Sequence, residues 1–234
     1  GSKVSCAATG SGTKGALRLR GGALHAASLT RWQHADMSIT EPVHMSLVVN
    51  TTTVSWVGRS SVKEMLSLIM RTCVAKTKPG NFARIEHELN GRKVYFYVIS
   101  RTNGLAGTLV ADQAYPQRVA VNLIEQLMDD FTKQCDGVWP QSRSDDCSPF
   151  PKLEQYMAEY QDSSKADKIE ALKKDVEESK KILEQSVEMI LDRGQKLEDL
   201  VKNSNRLSMQ TKMMYKSVQK KPGWVEECLG CSTE

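Results

Sequence analysis

Residues 190–197 read ILDRGQKL, and counting outward from Arg193 in alternating steps of three and four decides how the C-terminal part of the chain is organised. Upstream the steps land on Ile190, Ser186, Leu183, Ser179, Val176, Leu172 and Ile169. Downstream they land on Leu197, Leu200, Ser204, Leu207, Thr211, Met214 and Val218. Arg193 apart, these positions are apolar or carry a small Ser or Thr. Such a repeat, held for about seven heptads, marks a coiled-coil seam, narrower than the stripe that a globular surface helix turns to its core. Residues 165 to 200 are rich in Lys, Glu, Asp and Leu, with one Gly and no Pro. The spacing therefore predicts a helical motif over 165–221, whose seam of ~50 residues makes a rod of about 75 Å at ~1.5 Å per residue. One helix with so narrow a stripe cannot bury it alone and needs partner helices.

Arg193 sits where its neighbours place leucine and isoleucine. One reading leaves its stem packed at the edge of the seam and its head in water. The other buries the guanidinium, which has five donors and no acceptor, and requires facing helices to bring acceptors such as Gln side chains to that layer. A buried layer of this kind trades stability for register and choice of partner.

Ahead of the seam the periodicity is mixed. Thr51 to Val57 reads as a strand, and Ser60-Ser61 offers an N-cap to a helix over 61–75 whose apolar face is Val62, Met65, Leu66, Ile69, Met70 and Cys73. Lys78-Pro79-Gly80 ends it. Arg84 to Leu89 and Lys93 to Arg101 flank Asn90-Gly91, a pair suited to the positive φ angles of a tight hairpin. Leu105 to Ala111 supplies another strand. Pro116 then opens a helix with one apolar face: Val119, Ala120, Leu123, Ile124, Leu127, Met128 and Phe131. Ala23 to Trp32 and Pro42 to Val49 form a candidate first hairpin with poor alternation. These elements predict an α+β domain, an antiparallel sheet flanked by helices, over 22–140, with a linker at 141–164.

The chain has 234 residues and a formal charge of +4. Lys3, Lys14, Arg18, Arg20 and Arg31 lie in an acid-free start, and without those five the remainder is near −1. Charge thus gives no argument for a nucleic-acid partner. Residues 1–21 read as a disordered or vector-derived extension. No run of about 18 apolar residues suggests a transmembrane helix. The six cysteines, Cys6, Cys73, Cys135, Cys147, Cys228 and Cys231, lack the spacing of a disulfide framework or of a paired zinc site. His25, His34, His44 and His87 are scattered, and no GxxxxGK[ST], HExxH or GxSxG motif occurs. The expectation is a protein without catalytic activity, metal or cofactor.

Arg193 within LDRGQKLEDL resembles the central ionic layer of an R-SNARE. GRSSVKEM (58–65) and LAGTLVADQAYPQRVAVNLIEQLMDDF (105–131), including Tyr115-Pro116-x-Arg118-Val119-Ala120, resemble the longin domain that precedes it in one subgroup. The chain is thus similar, over roughly 53–221, to the lipid-anchored longin R-SNAREs of the YKT type. The resemblance implies a profilin-like longin domain followed by a long SNARE coiled-coil helix. It implies three Q-SNARE partner helices (Qa, Qb and Qc) on another membrane, zippering from the end near Ile169, and later separation by the SNARE disassembly machinery. Arg193 would donate to a Gln of each partner. The longin domain would fold back over the idle helix, with an exposed apolar residue at Leu68 helping to hold it. The site would be peripheral, on the cytosolic face of Golgi, endosomal or vacuolar membranes.

The terminal sequence ECLGCSTE departs from the family's adjacent cysteines and aliphatic prenylation box. Cys228 and Cys231 in the 222–234 tail remain candidates for palmitoylation, and one acyl chain anchors only marginally. Between Val201 and Val225 lie Lys202, Arg206, Lys212, Lys216, Lys220 and Lys221 with no acid, a stretch suited to an anionic leaflet as well as to a solvated helix face. Against the fusogen stands a soluble longin and coiled-coil regulator or tether that binds SNAREs without fusing membranes.

Overall fold

The structure, a computed structural model, describes residues 23–32, 42–50, 58–89, 92–135, 144–145, 150–161, 182–192 and 194–220. Strands β1 (Leu24–Arg31) and β2 (Val43–Val49) come first, then helix α1 (Arg59–Lys76). Strands β3 (Phe82–Leu89), β4 (Arg92–Ser100) and β5 (Leu105–Asp112) lead into α2 (Gln117–Gln134) and α3 (Lys152–Glu159). Strand β6 (Ile182–Ser186) and helices α4 (Val187–Ile190), α5 (Leu197–Asn203) and α6 (Met209–Lys220) complete the described chain.

The sheet has six strands in the order β2-β1-β5-β4-β3-β6. The first five are antiparallel, as expected. The sixth makes the sheet mixed: β6 runs parallel to β3, with Phe82 opposite Ile182 and Glu86 opposite Ser186. Leu89 pairs with Arg92, so the hairpin closes over the two residues 90–91, which lie outside the described residues. Gly104 turns β4 into β5 at φ +87°, a conformation favoured by a residue without Cβ.

Helices cover both faces of the sheet. On one face α2 buries Val119, Ala120, Leu123, Ile124, Leu127, Met128 and Phe131, the seven positions of its predicted stripe, against Leu29, Tyr97, Leu105 and Leu109. At about 1.5–3 kcal/mol per fully buried large side chain, this stripe is a major part of the core. Gly107 of β5 permits the close approach of α2, for a Cβ there would lie 2.5 Å from the Ile124 methyl. Helix α3 extends the layer with Leu153 and Met157 and is flanked by buried Phe150 and Tyr160. Its span falls in the stretch read as linker. The other face carries α1, with Ile69, Met70, Cys73 and Val74 packed on Ala26, Phe96, Val98 and Val110.

Two sequence expectations need correction. The N-cap of α1 is Gly58, without a side-chain cap, and Ser61 lies buried within the helix. The expected long helix is interrupted: residues 182–220 form a strand and three helices. Gly194 at φ +86° and the run Ser204 to Ser208 between α5 and α6 supply the breaks, and Ser and Asn favour turns because their side chains compete for backbone hydrogen bonds. Thr51 to Val57, read as a strand, lies outside the described residues.

Candidate functional site

The candidate site is the α1 face of the sheet together with the chain that covers it. Strand β6 satisfies the backbone edge of β3, which would otherwise be open for pairing. Arg84 and Glu184 are register partners and form an ion pair at 3.1 Å. The Ser186 Oγ then accepts the Met189 N–H at 3.3 Å and caps α4. Val187, Ile190 and Leu191 enter the apolar cluster beneath α1. Beyond them the Lys76 ammonium holds Asp192 at 2.6 Å near the end of α1, and the chain turns through Gly194. The Asp199 carboxylate accepts the Lys196 N–H at 3.3 Å, and α5 buries Leu197 and Val201.

Glu64 ties α6 to α1. Its Oε2 accepts the Ser208 N–H at 2.8 Å and the Thr211 hydroxyl at 2.7 Å, while the Ser208 Oγ accepts the Thr211 N–H at 3.2 Å. A carboxylate here satisfies free donors at a helix N-terminus and opposes its partial positive charge. Partial burial pushes the Glu64 carboxyl up, but the hydrogen bonds from Ser208 and Thr211 outweigh it and hold the group below its ordinary value.

A second polar cluster lies behind this contact. The Arg71 guanidinium is buried and donates to the Pro42 carbonyl and to Asp145 at 2.6 Å. Asp145 also meets Arg206 of the α5–α6 connection at 3.3 Å and accepts the His44 N–H at 3.2 Å. Burial raises the Asp145 carboxyl, yet the hydrogen bond and charge of Arg71 bring it below its usual range. His44 Nε2 lies 3.2 Å from the Ser67 carbonyl and so carries the proton, leaving Nδ1 to accept from one of the hydroxyls of Ser28 and Thr30, which lie 2.9 and 3.0 Å away and 2.9 Å from each other. Burial, helped by the Arg71 cation, lowers the His44 pKa to about 3, so the ring is neutral. These residues border a groove of about 440 Å³ whose walls include Lys63, Glu64, Leu68 and Arg206.

The predicted seam divides. Ile190, Leu197, Leu207 and Thr211 are buried, Leu200 packs at the edge of the cluster, and Ser204 and Met214 are half-buried. Leu183 is 44% exposed, and Ser186 serves as the cap. Val218 lies on α6, its side chain outside the described ones. Arg193, Ile169, Leu172, Val176, Ser179, Cys228 and Cys231 lie outside the described residues. Leu68 is half-buried against the same cluster.

Sequence reasoning missed Val187, Leu191 and Val201, which are buried although they lie off the seam. It also missed Glu64, His44 and Arg71. The three apolar residues were visible as extra members of a stripe wider than a heptad seam requires. Cys73 is buried, and its thiol is pushed well above the usual range by desolvation. His87 is buried with Nδ1 3.9 Å from Glu188. Among the described residues no group of three or more His, Cys, Asp or Glu is placed to hold a metal ion, and no helix is long and apolar enough to cross a membrane.

The arrangement is a folded domain with its own C-terminal segment laid over one face, and comparison with known proteins gives it a family. The Regulated-SNARE-like (longin) domain model matches residues 53–167, and the synaptobrevin model matches 168–220. The chain is 35% identical over 167 residues to the synaptobrevin homolog ykt6 of Schizosaccharomyces pombe, covering 71% of this chain and 82% of that one. It is 33% identical over 181 residues to the VAMP-like protein YKT61 of Arabidopsis thaliana, covering 77% and 88%. With the synaptobrevin homolog YKT6 of Yarrowia lipolytica it shares 30% over 182 residues, covering 77% and 89%. The sheet with helices on both faces is thus a longin domain, the segment folded over it is the synaptobrevin region, and the chain belongs to the longin-domain R-SNAREs of the YKT type.

Proposed function

We propose that this R-SNARE of vesicle transport works as a two-state device. The described part of the segment, 182–192 and 194–220, lies folded over the longin domain when idle, and as one continuous helix residues 165–221 join Qa, Qb and Qc helices in a parallel four-helix bundle that draws two membranes together. The observation that carries this reading is the double use of the seam. Ile190, Leu197, Leu207 and Thr211 are the residues that a bundle would bury, and they are buried on the α1 face here. Both states cannot use them at once, so folding back withholds the segment from partners.

In the bundle Arg193 forms the central layer, donating to Gln side chains of the partner helices, and Ile169, Leu172, Val176 and Ser179 form the layers that zip first. Disassembly machinery returns the segment to the folded-back state. Lipid on Cys228 or Cys231 supplies the anchor on Golgi, endosomal or vacuolar membranes. No step is catalytic. Support comes from family membership and from the absence of a helix able to cross the membrane among the described residues. The test is assembly: purified 165–221 mixed with cognate Q-SNARE helices is expected to form a heat-resistant complex, and failure with every Q set tried would sink the reading. Arg193→Leu is expected to leave the isolated helix intact and to disturb the register or recycling of the complex.

A further inference from the structure

We propose that the outward face of α6 is a docking surface for an anionic lipid bilayer, with Met209 and Met213 entering the headgroup layer and Lys212 and Lys216 meeting the lipid anions. Met209 is 74% exposed and Met213 65%, against a helix whose opposite side, at Thr211, is fully buried. One turn apart, the two thioethers share a face, and Lys216 continues the same stripe, exposed. Lys212 stands beside them, its Nζ on the Lys202 carbonyl at 3.0 Å.

Charge complementarity selects the occupant. Helix α6 holds no acid, and neither does the rest of 201–225, where six basic residues gather. A helix with a basic polar face and a small apolar one lies in the plane of the interface, and methionine adapts to such an irregular environment. The inference rests on the folded-back form and needs no partner helix. The seam reading adds that Met209 and Met213 fall between the layers Leu207, Thr211, Met214 and Val218, on the outside of a bundle too. Neither state buries them, and a membrane surface would.

The test uses the full chain, free of lipid modification, and limiting hydrogen peroxide, with sulfoxide measured at each methionine by mass spectrometry. Met189 on α4, 70% exposed and off this face, is the internal control. Vesicles of phosphatidylcholine with phosphatidylserine are expected to slow oxidation at Met209 and Met213 by about threefold or more and to leave Met189 unchanged, since oxidation follows exposure. Pure phosphatidylcholine and high salt are expected to abolish the protection. In sedimentation, removing both charges (Lys212→Gln with Lys216→Gln) is expected to weaken binding about fivefold per charge, and Met209→Ser with Met213→Ser to weaken it comparably at an unchanged melting profile. Equal oxidation at all three methionines with anionic vesicles overturns the proposal, whatever the variants do. So does sedimentation that survives loss of the methionine pair, which would mean attraction by charge alone, or protection by neutral vesicles equal to that by anionic ones. Because no Q-SNARE is present, failure here leaves the fusion reading untouched.

Discussion

Glu64 does two things with one oxygen: it accepts the Ser208 N–H and the Thr211 hydroxyl, so α6 and α1 share a cap. Glu64→Gln keeps the shape but removes the charge that strengthens these bonds. We expect a loss of about 1.5–3 kcal/mol in the docking of α6, read as faster amide exchange over 209–220 with no change in β4 and β5. His44 acts through pH. Its folded pKa lies near 3 while the unfolded value is 6.5, so above 6.5 its contribution is complete. As pH falls below 6.5 the unfolded chain takes up the proton that the fold refuses. Stability is expected to drop by about 2 kcal/mol between pH 7 and pH 5 from this residue alone. His25, also lowered by burial, adds in the same direction. Denaturant titration at the two pH values checks this, and His44→Gln is expected to flatten the slope. Gly107→Ala brings a methyl against Ile124 and Met128 and is expected to cost about 1–3 kcal/mol by overpacking, measured as a lower denaturation midpoint.

At the scale of elements, legibility followed the number of faces each element buries. Helix α2 buries one face, and its stripe could be read residue by residue. The hairpin of β3 and β4 was legible from Asn90-Gly91. Strands β1 and β2 alternate poorly because α1 lies over one side of the sheet and α2 with α3 over the other, so successive side chains are buried or half-buried and polarity need not alternate. The segment 182–220 was readable for one state only. A seam spaced for a coiled coil is also a set of apolar residues that a folded domain can bury in a different backbone, and β6 is too short for its period to compete with the heptads. Gly194 marks the choice. At φ +86° it favours the turned form, and nothing lies within 4 Å of where a Cβ would stand. Gly194→Ala strains that turn by about 1–2 kcal/mol and favours helix by roughly 1 kcal/mol, with no clash in the folded-back state. Greater helicity by circular dichroism and faster amide exchange over 187–203 are the expected results.

For the whole molecule, the central claim is that folding back and zippering compete for one segment. Substituting the seam cannot test it, because both states would suffer. Leu191 separates them: it is 8% exposed on the α1 face, yet next to the seam position Ile190 it points away from a bundle core. The most direct measurement is therefore the rate at which the full chain joins its cognate Q-SNARE helices, for the unaltered protein and for Leu191→Ser, with the isolated 165–221 segment as the unrestrained reference. The account predicts that the substitution speeds assembly of the full chain toward the reference rate, by roughly tenfold or more for the two or so kcal/mol that burial of a leucine contributes, while the isolated segment assembles as before. Equal rates for the unaltered chain, the Leu191→Ser chain and the isolated segment would contradict it, because the folded-back contacts would then restrain nothing.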